Sequence, residues 1–598
     1  MSLCFELFNT RVKSKREVKA VFSVLFLFFI TTSVAQKELF IQEMDSIKVG
    51  YRSSGASLDL IDRQITRQPN LRPGAGFGEM YERNLADNLF RSEGGFSYVN
   101  NENKVIPKFT SLPYLGFQYA FGSSLTQDLN VEYHHFFQPN THLHFKYNRN
   151  TSNGFLRNSD YKNNDVSLRF FHTKRRYTTH LDGYYGAYEM GQNGGITTDS
   201  LLNDFAIEFT PVNKETSRSV IRKLNLKWDN YYRLVGDSIV GFGVKSKHGF
   251  DLVGRTFEEQ LIDTIPYDTL YLDTTGLTRD QFQTSGISTG AGVFFSSPKF
   301  KVDATLNHKY WRNQNVGMKR DTNEFFLHSN LWLKLGERLT LHNEFYFNLI
   351  GATGEIKEHA RLNFKMWDNL SLTGQLRFEN VYPTPYQRFH TSNYLKWEIQ
   401  DLEMQQKIQV AGALKWGNKN HVQANVIWTS VNNGRYFIDN QWRQDTLDFV
   451  SVGALNIKGA YHLGKFSFYP SATLRFMLSN FSLQPILSTL NRLAYTTTLF
   501  KSGKLGFSVG VDVGYESSYN YMAYHEVYDV YQPFLSLDKV PELIQLNAFL
   551  ALSIDEFRFF VKGENISYLF QDATTRIDPN YPIMPLLLRL GITWDFFN

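Results

Sequence analysis

Apolar and polar residues alternate along most of this chain with a period of two. From Leu339 the apolar positions are Leu339, Leu341, Phe345, Phe347 and Leu349, with Thr340, His342, Glu344, Tyr346 and Asn348 between them. From Leu505 they run Leu505, Phe507, Val509, Val511, Val513 and Tyr515, and the last segment reads Leu586, Leu588, Leu590, Ile592, Trp594 and Phe596. Residues i, i+2 and i+4 share one face of a strand, whereas on a helix this pattern would scatter right round the cylinder. The pattern therefore predicts a sheet whose two faces meet unlike surroundings.

The connections predict the sheet's shape. Gly336-Glu337-Arg338, Trp367-Asp368-Asn369, Gly417–Asn420, Gly464-Lys465, Lys501–Lys504 and Asp555-Glu556 are short, turn-forming joints. Longer segments fall between them, at 311–324, 379–393, 432–451, 479–492, 516–543 and 562–585, with 350–355 a shorter member. Short and long joints in alternation put all tight turns at one end and all long loops at the other. That is the layout of a transmembrane β-barrel, whose strands need only about 9–11 residues to cross. A soluble sandwich would bring its apolar faces into one core. Here the many apolar faces would enclose a very wide hydrocarbon tube, a conflict that disappears if they face lipid and the polar residues line the lumen. Residues 300–596 supply fourteen strands, counting 394–416 as one. Upstream candidates lie at 115–121, 127–137, 141–147, 166–172, 178–188, 220–228, 239–244, 248–255 and 289–295. An even total of about 18 to 22 is expected.

Composition agrees with an all-β chain: 16% of the 598 residues are aromatic, which argues against disorder. Mean hydropathy is −0.34, against a bundle of membrane helices. Near the N-terminus Arg11, Lys13, Lys15, Arg16 and Lys19 precede an apolar run at 20–30, and Ser33-Val34-Ala35 provides small residues. The run is too short to span, so residues 1–35 read as a signal peptide cleaved before Gln36. Cleavage removes Cys4, the single cysteine. Disulfides, Cys–metal sites and Cys nucleophiles go with it. It also lowers the formal charge from +5 to +2, and no nucleic-acid signature appears. Residues 36 to about 90 lack alternation, and 36–110 read as a periplasmic or lumen-folded segment, with 111–598 as the barrel.

The ending Ile592-Thr593-Trp594-Asp595-Phe596-Phe597-Asn598 resembles the terminal strand of outer-membrane proteins, with Trp594, Phe596 and Phe597 as the signal read by the assembly machinery. Asn598 departs from a strictly terminal aromatic. Glu564–Phe570 with Tyr581-Pro582 is similar to the closing hairpin of Bacteroidota barrels. Together with overall size and Asn193-Gly194-Gly195-Ile196, this resembles the putative-porin family of that phylum across most of the mature chain. The resemblance implies an outer-membrane location and passive passage of small hydrophilic solutes, and it transfers no catalytic residues. TonB-dependent transporters place a plug of about 130 residues before a 22-stranded barrel; 36–110 is too short for one.

If apolar positions face lipid, the lumen between 300 and 596 carries Lys301, Lys309, Lys334, Lys357, Arg361, Lys365, Arg377, Lys415, Lys458, Arg475, Arg558, Lys562 and Arg589. Against these stand only Asp303, Glu344, Asp512 and Asp595. Such a wall concentrates anions and predicts a mildly anion-favouring pore. The acidic segment 256–288 is the opposing influence, as a loop able to fold inward. His142 and His144 share a strand face near His134-His135, but no carboxylate stands obviously with them, so no metal site or cofactor is expected. Tyr515, Tyr519, Tyr521, Tyr524, Tyr528 and Tyr531 suggest an interfacial girdle. No nucleophile elbow, phosphate loop or HExxH occurs, so an enzyme is not expected. Two functions remain open: a diffusion porin, or a plugged barrel serving as scaffold, receptor or subunit beside surface lipoproteins or further copies of itself.

Overall fold

The computed structural model describes residues 113–597 apart from short segments, the longest of which are 261–276, 445–449, 479–484 and 534–538. The expectations for 1–35 and 36–110 fall outside the described residues.

One antiparallel sheet of 22 strands closes on itself. Its first strand, Tyr114–Gly122, pairs with the second, Thr126–Gln138, and also with the last, Leu587–Phe597, in the register Tyr114↔Phe597 to Gly122↔Arg589. Every strand thus has a partner on both sides. In hydrocarbon no water is available to pair a free N–H or C=O, so closure is the condition for spanning at all.

The burial pattern is inside-out. On the strand Leu505–Glu516, Val509, Val511 and Val513 are exposed while Ser508, Asp512 and Glu516 are buried. On the last strand Leu588, Trp594 and Phe596 point outward, and Arg589, Thr593 and Asp595 are buried. The alternation therefore reports lipid against lumen. Where inner rings need room, glycine provides it. A Cβ on Gly591 would lie 2.4 Å from Phe560, and one on Gly510 2.6 Å from Phe549. Both rings belong to a buried cluster with Ala120, Ala494 and Ala551.

The fourteen strands expected over 300–596 are present, but 394–416 is not one strand. Its first part holds Lys396–Glu398, which pairs with Phe389–Thr391 in a short loop hairpin, and the wall strand begins at Gln405. The segment 311–324 is likewise no loop: Phe300–Asn315 and Met318–Leu335 pair to their ends. Nor is 256–288 a loop, since Gly241–Gln260 and Leu277–Ser296 are 20-residue strands paired throughout. Only 261–276 lies between them, outside the described residues. The candidates 239–244 and 248–255 belong to the single strand Gly241–Gln260. These strands exceed the span of a bilayer and rise above it, where water wets both faces and alternation is no longer required.

Val511→Arg puts a cation into lipid and is expected to cost about 2–4 kcal/mol. Unfolding from lipid vesicles in urea, read by the gel shift between folded and heated forms, should show this loss. An unchanged midpoint would place Val511 in water.

Candidate functional site: a charged lumen beneath a bridge of loops

The ladder registers place all thirteen sequence-predicted cations on the inner face. They do not form one array. On the closing wall they are neutralised: Arg558 reaches Asp595 at 3.0 Å, and Lys562 and Arg589 share Glu564 at 2.9 and 2.8 Å. Tyr114 Oη donates to Asp595 at 2.7 Å, tying the first strand to the last. Lys309 pairs with Asp251 at 3.0 Å, Arg377 with Glu379 at 2.7 Å, and Lys365 with Asp368 in its turn at 2.8 Å. Lys301 lies over the Trp332 ring, and Arg475 donates to the Pro485 carbonyl and Ser488 Oγ.

A different group faces water. No described carboxylate comes within ion-pair distance of Lys334, Lys357, Arg361, Lys415 or Lys458, and the last four are exposed. They share the adjoining strands from Met318–Leu335 to Val450–Leu463. The imbalance of charge is smaller than sequence reading gave, because Glu324, Glu379, Glu516 and Glu564 also face inward, as do Lys407 and Arg492. The Glu residues were missed because they sit at or beyond the ends of the alternating runs.

The end carrying the long loops is bridged. Phe257 and Phe282, on the lumen face of two wall strands, pack into a buried cluster with Tyr386, Tyr394, Trp397 and Leu402, with Phe437 and Trp442, and with Val527 and Tyr528. Apart from Phe257 and Phe282, these groups come from the loops that follow the strands Leu370–Val381, His421–Asn432 and Leu505–Glu516. The last loop leaves the wall about half the ring away from Arg255, whose guanidinium donates to the carbonyls of Val527 and of Glu526, the latter at 2.7 Å. A loop rooted on one wall and bonded to the far wall crosses the mouth. Lys214, from the loop after Tyr177–Gly191, joins Glu526 at 2.9 Å and Glu259 at 3.5 Å. Burial opposes the Lys214 charge, but its two carboxylates outweigh it and hold its pKa up. Asn393 meets Asp280 through its backbone N–H at 2.8 Å and Thr278 through its side chain at 2.7 Å. Of the acidic segment's residues, Glu259 and Asp280 therefore anchor the bridge, while Glu258 pairs with Arg279 at 3.1 Å on the outer face.

The tyrosines expected as a girdle divide. Tyr519, Tyr524 and Tyr528 are buried within the loops, not at the lipid interface. Tyr515 ends its strand on the lipid face. Tyr521 and the side chain of Tyr531 lie outside the described residues. Of the residues expected to form a C-terminal signal, Trp594 and Phe596 stack on the outer surface with centroids 4.5 Å apart, and Phe597 pairs through its backbone with Tyr114.

His390 sits among Tyr386, Trp397 and Tyr528 with ring centroids 5.2, 4.7 and 5.1 Å away, and neither ring nitrogen has a hydrogen-bond partner among the described residues. Burial, then the nearby Arg255, holds its pKa down to about 3. In parted loops the ring regains an ordinary value near 6.5, so the open form takes up the proton first. The bridge accordingly loses stability as pH falls below about 6.5, by roughly 2 kcal/mol at pH 5. Quenching of tryptophan fluorescence by acrylamide, which reaches Trp397 once the loops part, should be stronger at pH 5 than at pH 7.5, and His390→Phe should remove much of that difference. A pH response that is the same in both proteins would contradict this role.

Two kinds of comparison complete the picture. A family model described as "Putative porin" matches residues 92–598. Among solved structures, the barrel is similar to the FrpB iron transporter of Neisseria meningitidis, with a TM-score of 0.55 at 11% identity over 82% of each chain. It is similar to the copper transporter OprC, with a TM-score of 0.57 at 12% identity over 81% of this chain and 80% of that one. The siderophore receptor PirA of Acinetobacter baumannii gives 0.54 at 10% identity, over 82% and 81%. At these identities the likeness concerns the fold. No curated protein matches the chain.

Proposed function

Starting from a chain that belongs to the family described as "Putative porin", we propose a gated outer-membrane conduit for small hydrophilic solutes, with anions favoured. The observation that carries this reading is that Glu526 and Val527, in the loop after Leu505–Glu516, reach across the mouth to Arg255 while the lumen below stays polar. Passage then requires the loops to part. Their own contacts, more than the width of the barrel, set access. The exposed Lys357, Arg361, Lys415 and Lys458 favour anions, because a low-dielectric wall focuses the field of charges it does not neutralise. A standing open pore fits the bridge less well. A partner at the cell surface, such as a lipoprotein or another copy, is one means by which the loops would be displaced. The outward-facing Trp594 and Phe596 suit recognition by the barrel-assembly machinery.

Conductance of the purified, refolded chain in a planar bilayer tests the gate. The native protein should open rarely. Arg255→Ala with Lys214→Ala, which frees Glu526 and Val527, should give long-lived steps. Identical, permanently open currents from both would overturn the gate. In the released variant, Arg361→Glu, Lys415→Glu and Lys458→Glu together should shift the reversal potential in a KCl gradient toward cations. No shift would remove those side chains from the solute path.

A further inference from the structure

Near the short-turn end of the lumen, on the strands Thr126–Gln138 and Thr141–Ser152, three histidines and a glutamate meet. His134 and His144 are direct cross-strand partners, and Glu132 precedes His134 by two residues on the same face. The two imidazoles stack with centroids 4.0 Å apart. Glu132 Oε1 lies 2.7 Å from His134 Nε2 and 3.4 Å from His144 Nε2. Both histidines are fully buried, and among the described residues His134 Nδ1 and both ring nitrogens of His144 have no hydrogen-bond partner. His142, next in the row, is also fully buried, and neither of its nitrogens has a partner among the described residues. Buried polar atoms are nearly always paired, so several orphaned nitrogens around one carboxylate need an explanation.

From this geometry we propose that Glu132, His134 and His144 bind a first-row divalent cation of the zinc or copper class. One carboxylate and two imidazoles are the donors such ions take, and three protein ligands leave a position for water. Two donors about 2.0 Å from a tetrahedral ion stand about 3.3 Å apart. The Glu132–His144 separation already matches this, and the Glu132–His134 pair has only to open by about half an ångström. The neighbouring cation Arg169, opposite His144 in the ladder, is turned to Asp182 at 2.5 Å. Lys146 faces Glu132 across the ladder and is the cation with which an entering ion must compete for the carboxylate. The site adjoins the barrel's seam: the Tyr114 ring lies 5.8 Å from His134, and its hydroxyl holds Asp595 on the last strand. Bound metal would therefore tie the second strand to the third, one strand away from the closure. This role is independent of whether the mouth opens.

The test uses the whole mature chain in detergent, stripped with EDTA, and titrated calorimetrically with Zn²⁺. One equivalent should bind with micromolar or tighter affinity. Glu132→Gln should weaken binding at least tenfold, and His134→Ala with His144→Ala should abolish it. His135→Ala, on the outer face, should leave it unchanged. Co²⁺ in the unmodified chain should give the visible absorption of a four-coordinate nitrogen–oxygen site, a readout that no variant has to fold to provide. Saturating Zn²⁺ should also raise the temperature at which the heat-dependent gel shift occurs. Absence of binding, or binding indifferent to the double variant, would overturn the proposal.

Discussion

Closure of the backbone ladder is the constraint on which everything else depends. A sheet edge in lipid leaves a row of unpaired donors and acceptors, each costing several kcal/mol, so the strand Tyr114–Gly122 must find Leu587–Phe597 across nearly the whole length of the chain. Once the ring is closed, each strand has one face on hydrocarbon and one on the lumen, and every charge on it is sorted accordingly. The seam is reinforced by Tyr114, Asp595 and Arg558, and by Glu564 shared between Lys562 and Arg589. These pairs lie on the inner wall, where a lone charge would be costly and a paired one is tolerated.

Sorting by face explains what the sequence makes legible. Within the membrane the environments differ by the full contrast between lipid and water, so the pattern at 505–515 identifies the strand, its faces and its inward charges without any structure. Above the membrane that contrast vanishes. Lys319, Arg320, Asp321, Thr322 and Asn323 are polar in succession, and so read as loop while forming a paired strand. Loop packing is also hidden, because Trp397, Phe437 and Tyr528 meet Phe257 only through contacts distant in sequence. Those tyrosines carry the same composition as an interfacial girdle, and only their burial distinguishes the two.

The histidine–glutamate cluster falls between these cases. Glu-x-His at 132–134 and His-x-His at 142–144, on two successive strands, are visible in the sequence. What sequence reading lacked was the register that sets His134 against His144, and with it the recognition of Glu132 as the missing carboxylate.

The central claim is that folded loops bridge the mouth. Hydrogen–deuterium exchange on the full chain in lipid nanodiscs measures that most directly. The account predicts slow exchange at Asn393, Ile399 and Tyr528, whose amides are bonded to Asp280, Arg388 and His525. Exchange at the rate of an unstructured peptide throughout 386–399 and 519–528 would contradict it, leaving an open barrel with free loops.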